Sequence, residues 1–478
     1  MLSIDKTAGS FLYSQVVDLV GDQIEGGVLR PGDRLPSLRQ LSERLDVSVP
    51  TVRQAYIELE RQGRVESRPQ SGFYVRGGSA SPLVRPAACR QRRPAMVRCR
   101  SLIDRVYAGI HQRDVLPFGI ANPTMARPAV KALNRAMKRV MSRAEERSLD
   151  YAPTDGEPAL RRQIAHRYCE LGGRVDAGDI SITHGGQEAL ALALMAVAGQ
   201  GDIVAVESPT YHGALERIES LGMLAVEIET CPEEGLMLDA LGRALDRHDI
   251  KACLFSSSIN NPLGSATSDA HREELVALLE ARDVPLIEDD VYADLMFDGS
   301  RPRPAQFFSR KGQVLTVGSF SKTVAPGYRI GWLVAGDYEN RVRMLKRGLS
   351  CSSGMLQQLT LVDFLATGEY DRHLRILRPV LKRNAERMSA LVARHFPAGT
   401  RVSQPQGGSV LWLELPGDID SDELFGRALE DGISICPGTI YSPTSRYRNF
   451  IRLSFGHPWT DAFEEGVRRL GALVDSMR

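Results

Sequence analysis

The sequence lacks any apolar run near the roughly 20 residues that span a bilayer; its longest, Ala189 to Ala198, is about half that, which speaks against a helical membrane protein. Met1 to Ser10 carries Asp5 and Lys6 and no apolar signal core, so export is not expected and the cytoplasm is the expected location. Cysteine is scarce: the seven are odd in number, scattered and without a C-x-x-C pair, which supports neither a disulfide framework nor a zinc site. Charge of one sign is lacking too, since 60 Lys and Arg against 59 Asp and Glu leave a net charge of +1. A generally basic, histone-like binder is excluded, while a local basic patch is not. What is present is an ordinary globular composition, 43% hydrophobic and 25% charged, on 478 residues, too many for one core of typical size.

The spans expected are a domain over residues 1–77, a linker over 78–110 and a large region over 111–478. The linker opens on Gly77-Gly78-Ser79-Ala80-Ser81-Pro82 and continues with Arg85, Arg90, Arg92, Arg93, Arg98 and Arg100, with no acid before Asp104. It shows neither helical nor strand periodicity. Its arginines read as a solvated tether or as an auxiliary contact to a phosphate backbone.

The first domain starts with a helix whose Val16, Leu19, Val20 and Ile24 share a face and which stops at Gly26-Gly27. Ser37 can cap a second helix, with Gln40 completing a capping box and Leu38, Leu41 and Leu45 as the buried stripe. Ser48 caps a third, in which Val52, Ala55, Tyr56 and Leu59 face inward and which Gly63 ends. Two strands, Val65 to Arg68 and Phe73 to Arg76, follow around Pro69 to Gly72. This is the order of a winged helix-turn-helix, whose later helix enters the major groove of DNA, although a small packing or dimerisation domain would read similarly. Acids and bases are equally numerous here, so affinity for DNA must come from where the arginines point.

Three stretches, P-G-D-R-L-P-S-L-R from Pro31, S-V-P-T-V-R-Q-A-Y from Ser48 and S-G-F-Y-V from Ser71, resemble the N-terminal domain of GntR-type transcription regulators. The resemblance implies that Arg34, Ser37, Arg39, Ser48, Thr51 and Arg53 face double-stranded DNA, with Gly72 at the wing tip. The residue types fit: arginine pairs bidentately with guanine or phosphate, and hydroxyls at helix N-termini reach phosphate oxygens.

Beyond about Val115, near-continuous apolar runs such as Asp202 to Val206, Ala252 to Phe255, Pro285 to Glu288 and Val314 to Val317 alternate with helical stretches such as Glu188 to Ala198 and His271 to Arg282. That alternation predicts an α/β domain with a mostly parallel sheet, whose ligands bind in loops beyond the strand ends. Gly318-Ser319-Phe320-Ser321-Lys322 follows one such strand, with Arg329 after it among glycines. An amine flanked by anion-binding groups suits a phosphorylated aldehyde held as a Schiff base, and pyridoxal 5'-phosphate is the evident candidate.

That cofactor needs further parts. Gly185, Gly186 and Gln187 at a helix start can receive the phosphate, and Tyr211 can cover the ring. Asp289, with Asp290 as fallback, can hold a protonated ring nitrogen, and Asn261 and Tyr292 can donate to the ring oxygen. Arg452 suits a substrate carboxylate. In this order the parts resemble fold type I pyridoxal-phosphate enzymes of aminotransferase class I/II. The resemblance implies Lys322 as the Schiff-base lysine, Ser319, Ser321 and Arg329 on phosphate, and Tyr151 reaching the phosphate of a neighbouring subunit. Leu263 stands where many relatives have threonine, which removes a polar contact but leaves the turn.

Winged helix, linker and aminotransferase-like domain together resemble the MocR group of bacterial transcription regulators. A multidomain α/β protein follows, its large domain joined to a smaller C-terminal α+β subdomain. The resemblance implies a homodimeric regulator in the bacterial cytoplasm that binds an operator, pyridoxal phosphate and a small amino compound or amino acid as effector. A working aminotransferase with an accessory DNA-binding domain is the alternative.

Overall fold

The computed structural model describes residues 11–25, 29, 33–61, 64–68, 72–75, 85–86, 93–97, 100–110, 114–121, 127–232 and 235–478. The chain divides into two compact units, Met1–Pro82 and Leu83–Arg478.

In the first unit the helices Leu12–Glu25, Leu38–Leu45 and Val49–Arg61 precede an antiparallel hairpin of Val65–Arg68 with Gly72–Val75. Apolar residues at helical spacing make its core: Val16 and Val20 from the first helix, Leu41 and Leu45 from the second, Val52, Ala55, Tyr56 and Leu59 from the third. The second helix begins with the expected capping box, Ser37 Oγ accepting from Gln40 N and Gln40 Oε1 accepting from Ser37 N. The Tyr56 hydroxyl donates to Pro36 O at 2.9 Å, tying the third helix to the entry of the second. Gly26, Gly27, Gly63, the Pro69-to-Ser71 turn and Arg76 lie outside the described residues.

The second unit is built on an eight-stranded sheet in the order Ile180–Thr183, Gly331–Val334, Val314–Ser319, Leu286–Asp289, Ile250–Phe255, Ile203–Ser208, Leu224–Cys231, Gly235–Leu236. Its five central strands, from Val314–Ser319 to Leu224–Cys231, run parallel; Gly331–Val334 is antiparallel to both neighbours, and so is the edge strand Gly235–Leu236 to its own. The strands Leu286–Asp289 and Val314–Ser319 are buried throughout, as apolar runs covered on both faces must be. A second, antiparallel sheet orders Arg401–Val402, Val410–Glu414, Phe450–Ser454 and Cys436–Pro437, and forms the smaller α+β part with the helices Ser421–Glu430 and Asp461–Asp475.

The expected linker differs in its last part. Arg100–Ile110 is a helix, with Ile103 and Val106 in the core of the second unit. Just before it, Ala95 and Ala225 exchange backbone hydrogen bonds at 2.8 and 3.0 Å. Leu102, Ile103, Val106 and Tyr107 carry a helical apolar stripe inside the arginine-rich composition, and burial of that stripe fixes the helix. Among the described residues, no helix is long and apolar enough to cross a membrane.

Candidate functional site

In the first unit, Ser37, Arg39, Ser48 and Arg53 are exposed around the starts of the second and third helices, and Thr51 is half-buried. Ser48 Oγ accepts from Thr51 N at 3.3 Å and lies 2.7 Å from Thr51 Oγ1, so Ser48 caps its helix as expected. Arg34 belongs to another edge: its backbone bridges Tyr74 of the hairpin, and a Cβ on Gly72, where φ is +108°, would lie 3.5 Å from Arg34 Nε. Arg34 and Gly72 therefore form one exposed corner at the wing, and the two helix starts form the rest of the set.

In the second unit the parallel strands deliver their following loops to one cavity of about 300 Å³. Gly186, Gln187, Tyr211, Asn261, Asp289, Tyr292, Ser319, Ser321, Lys322, Arg329 and Arg452 all line it. Gly185 sits directly behind, with φ +74°, and a Cβ there would run into the Arg329 guanidinium, 2.8 Å from Cζ. Tyr151 is 85% exposed and lies away from the cavity of its own chain.

One end of the cavity is shaped for an anion. Gly186–Val197 begins there, so its first amides and the positive end of its dipole face the cavity. Arg329 donates to Ser321 Oγ at 3.2 Å and to His184 O at 3.3 Å, which fixes its guanidinium beside that helix start. Ser319 Oγ accepts from Ser321 N at 3.1 Å, so the two hydroxyls are held in one short turn.

Lys322 Nζ donates to Ala121 O at 3.1 Å and lies 5.7 Å from the centre of the Tyr292 ring. Burial, the Arg452 guanidinium and Arg329 together lower its pKa to about 8, against the opposing pull of Asp289. Asp289 is buried and accepts from Val291 N at 3.3 Å; burial, with Asp290 adding to it, raises its carboxyl to about 6. The three consecutive acids are sorted by the period of the strand. Glu288 and Asp290 project to one face, where Glu288 accepts from Ala305 N at 2.9 Å and Asp290 pairs with Arg301 at 2.7 Å. Asp289 projects to the other face, so the fallback residue Asp290 is a structural ion pair remote from the cavity lining.

Behind Lys322, Tyr370 OH donates to Asp294 at 2.6 Å and lies 3.2 Å from Thr323 Oγ1, while His373 Nε2 lies 2.8 Å from Thr323 O. These contacts hold the residue after the lysine against the long helix Glu369–His395.

Arg452, on the strand Phe450–Ser454, is 2% exposed. Its guanidinium donates to Asn261 Oδ1 at 3.4 Å, Cys436 Sγ at 3.1 Å and Gly119 O, while its buried Nε has no partner among the described residues. Gln187 donates to Tyr211 OH at 2.9 Å, and its own buried Oε1 has no partner among the described residues. The Leu263 turn is kept, its N–H donating to Asn260 Oδ1 at 3.1 Å. Sequence reasoning missed Ile103, Val106, Tyr107, Gly119 to Ala121, His212, Ser256, Cys436 and Ile440, which also line the cavity. The helical spacing of Ile103, Val106 and Tyr107 was a usable signal; the others carry no motif.

The sequence matches the family Aminotransferase class I and II over residues 113–470 and the family Bacterial regulatory proteins, gntR family, over residues 12–75. It is 37% identical to the HTH-type transcriptional regulator YdcR of Escherichia coli (strain K12) over 462 residues, 97% of this chain and 98% of that one. To YjiR of the same strain, also an HTH-type transcriptional regulator, it is 33% identical over the same shares. Among solved structures, LysN, the alpha-aminoadipate aminotransferase of Thermus thermophilus, complexed with N-(5'-phosphopyridoxyl)-L-leucine, superposes with a TM-score of 0.72 at 29% identity, covering 79% of this chain and 95% of that chain. With a GntR-type helix-turn-helix unit followed by an aminotransferase class I and II unit, the chain belongs to the HTH-type transcriptional regulators of MocR-like architecture.

Proposed function

We propose that this protein is a homodimeric transcription regulator which binds operator DNA through residues 1–77 and pyridoxal phosphate with an amino compound through the second unit. Ala95, Val97 and the helix Arg100–Ile110 are counted with residues 111–478, and the linker is what precedes them. The protein works in the cytoplasm, on the nucleoid when bound to DNA. One observation carries the reading: a lysine, a buried carboxylate, an anion-binding helix start and a buried arginine border one cavity in a chain that also carries a GntR-type unit.

The cavity residues fit the cofactor. The cradle of Gly185, Gly186, Gln187, Ser319, Ser321 and Arg329 offers donors to a phosphate, and the unmatched Nε of Arg452 offers one to a carboxylate. When bound, pyridoxal phosphate supplies a carbonyl for the effector's amine and an electron sink for its α-carbon. The lowered pKa of Lys322 keeps a share of Nζ unprotonated, and therefore nucleophilic, near neutral pH. Asp289, with a carboxyl near 6, is mostly an anion at neutral pH and would hold a proton on the ring nitrogen. Arg452 occupies Asn261 Oδ1, which leaves Nδ2 to donate to the ring oxygen beside Tyr292 OH. Tyr211, oriented by Gln187, would cover the ring. Tyr151, exposed on its own chain, would reach the phosphate of the neighbouring subunit.

Regulation requires the effector to favour one arrangement of the dimer over another, since equal affinity for both shifts nothing. The test is borohydride reduction of pyridoxal-phosphate-loaded protein, followed by peptide mapping and by retention of operator DNA with and without amino acids. The expected result is a label on Lys322, lost in Lys322→Ala together with the visible absorbance, with folding and basal DNA retention unchanged. A label that persists in Lys322→Ala would overturn the assignment.

A second reading, turnover as an aminotransferase, is favoured by Arg452, which suits an α-carboxylate, and by Lys322, whose Nζ lines the same cavity and could hold or move a proton at an α-carbon there. Steady release of keto acid without sequence-specific DNA retention would put that reading first.

A further inference from the structure

The cavity has a wall that no site motif marks. Ile103 is 1% and Val106 3% exposed on the helix Arg100–Ile110, and both face the cavity. Tyr107, 44% exposed on the same helix, lines it as well, its ring edge-on to His212 with centroids 6.0 Å apart. Ile120 and Ile440 extend this apolar lining.

The charges bordering the cavity are few. Among the described lining residues the cations are Lys322, Arg329 and Arg452, and the one carboxylate is Asp289. Arg329 is fixed at the anion end by Ser321 and His184. Lys322 and Asp289 serve the cofactor, and Arg452 is left for one carboxylate. Glu216 and Arg217 act on the exposed Tyr107 with opposite signs, so among the described residues a second charge on the effector meets no net counter-charge along this wall, whereas an apolar side chain gains by leaving water.

We propose that Ile103, Val106 and Tyr107 are the specificity residues for the effector, and that the effector is an α-amino acid with a neutral, apolar side chain. The inference rests on the pyridoxal-phosphate reading of the site. Arg452 holds the carboxylate, and the helix Arg100–Ile110 receives the side chain. This helix is also the first of the second unit after the tether, so the element that reads the effector is continuous in chain with the segment leading to the DNA-binding unit.

The test is titration of the full-length, pyridoxal-phosphate-loaded protein with leucine, phenylalanine, glutamate and lysine, following the visible absorbance of the cofactor. Leucine and phenylalanine are expected to bind about tenfold or more tightly than glutamate and lysine, the difference made by burying one large apolar side chain. Tyr107→Arg, at a position exposed enough to accept arginine, is expected to shift the leucine-to-glutamate ratio about tenfold toward glutamate. Val106→Ala is expected to weaken leucine about threefold to tenfold while leaving the cofactor absorbance unchanged. Glutamate or lysine binding as tightly as leucine, or an unchanged ratio in Tyr107→Arg, would overturn the proposal while the cofactor reading stands. Failure to load the cofactor at all would overturn both.

Discussion

Uptake of pyridoxal phosphate by the cofactor-free protein should rise with pH around a midpoint near 8, because only the unprotonated amine of Lys322 attacks a carbonyl. The amine is lowered to about 8 from an ordinary value of 10.5 by burial first and by Arg452 second. At pH 7 about a tenth of such an amine is neutral, against about 0.03% of an ordinary lysine, an advantage of about three-hundredfold. The sign follows from the charges: below the midpoint Nζ is protonated and inert, above it the rate levels off. The variants separate the causes. Arg452→Gln removes a neighbouring positive charge and should move the midpoint up; Asp289→Asn removes the carboxylate that favours the charged amine and should move it down. The assay is the initial rate of visible absorbance after mixing with excess cofactor from pH 6 to 10. The cofactor's own ionisation is common to all three proteins, so the differences among them report on Lys322. A wild-type midpoint near 10, or one that ignores both substitutions, would refute the reasoning.

Arg53→Ala should cost about 1 to 3 kcal/mol of specific DNA binding, the range for a bidentate base contact, in competition assays against unrelated duplex; unchanged affinity would remove Arg53 from the readout set. Gly185→Ala should weaken cofactor retention about tenfold in dialysis, since φ is +74° and the new methyl group would meet the Arg329 guanidinium. Wild-type retention would show that the cradle tolerates a side chain.

Local signals carried much of the architecture. The capping box at Ser37 and Gln40 and the stripes of the three N-terminal helices are contacts between residues three and four apart, and the structure contains them. The apolar runs expected as strands became Ile203–Ser208, Ile250–Phe255, Leu286–Asp289 and Val314–Ser319, and their loops carry the site because a parallel sheet presents all its carboxyl ends on one side. Strand periodicity also held the answer to the run of three acids. Alternation puts Asp289 on the face opposite Glu288 and Asp290, so the neighbouring aspartate could not substitute for it without a change of register.

What was not legible has a common physical origin. Gly119 and Ala121, Cys436 and Arg452 are far apart in the chain, and they meet because Arg452 reaches Gly119 O and Cys436 Sγ while Lys322 reaches Ala121 O. Carbonyl oxygens have no side-chain signature, so no pattern of residue types marks Gly119 and Ala121 as acceptors for the two cations. The helix Arg100–Ile110 was hidden differently. Its isolated sequence is short and arginine-flanked, a weak helix by composition, and it gains its stability from seating Ile103 and Val106 in the second unit's core.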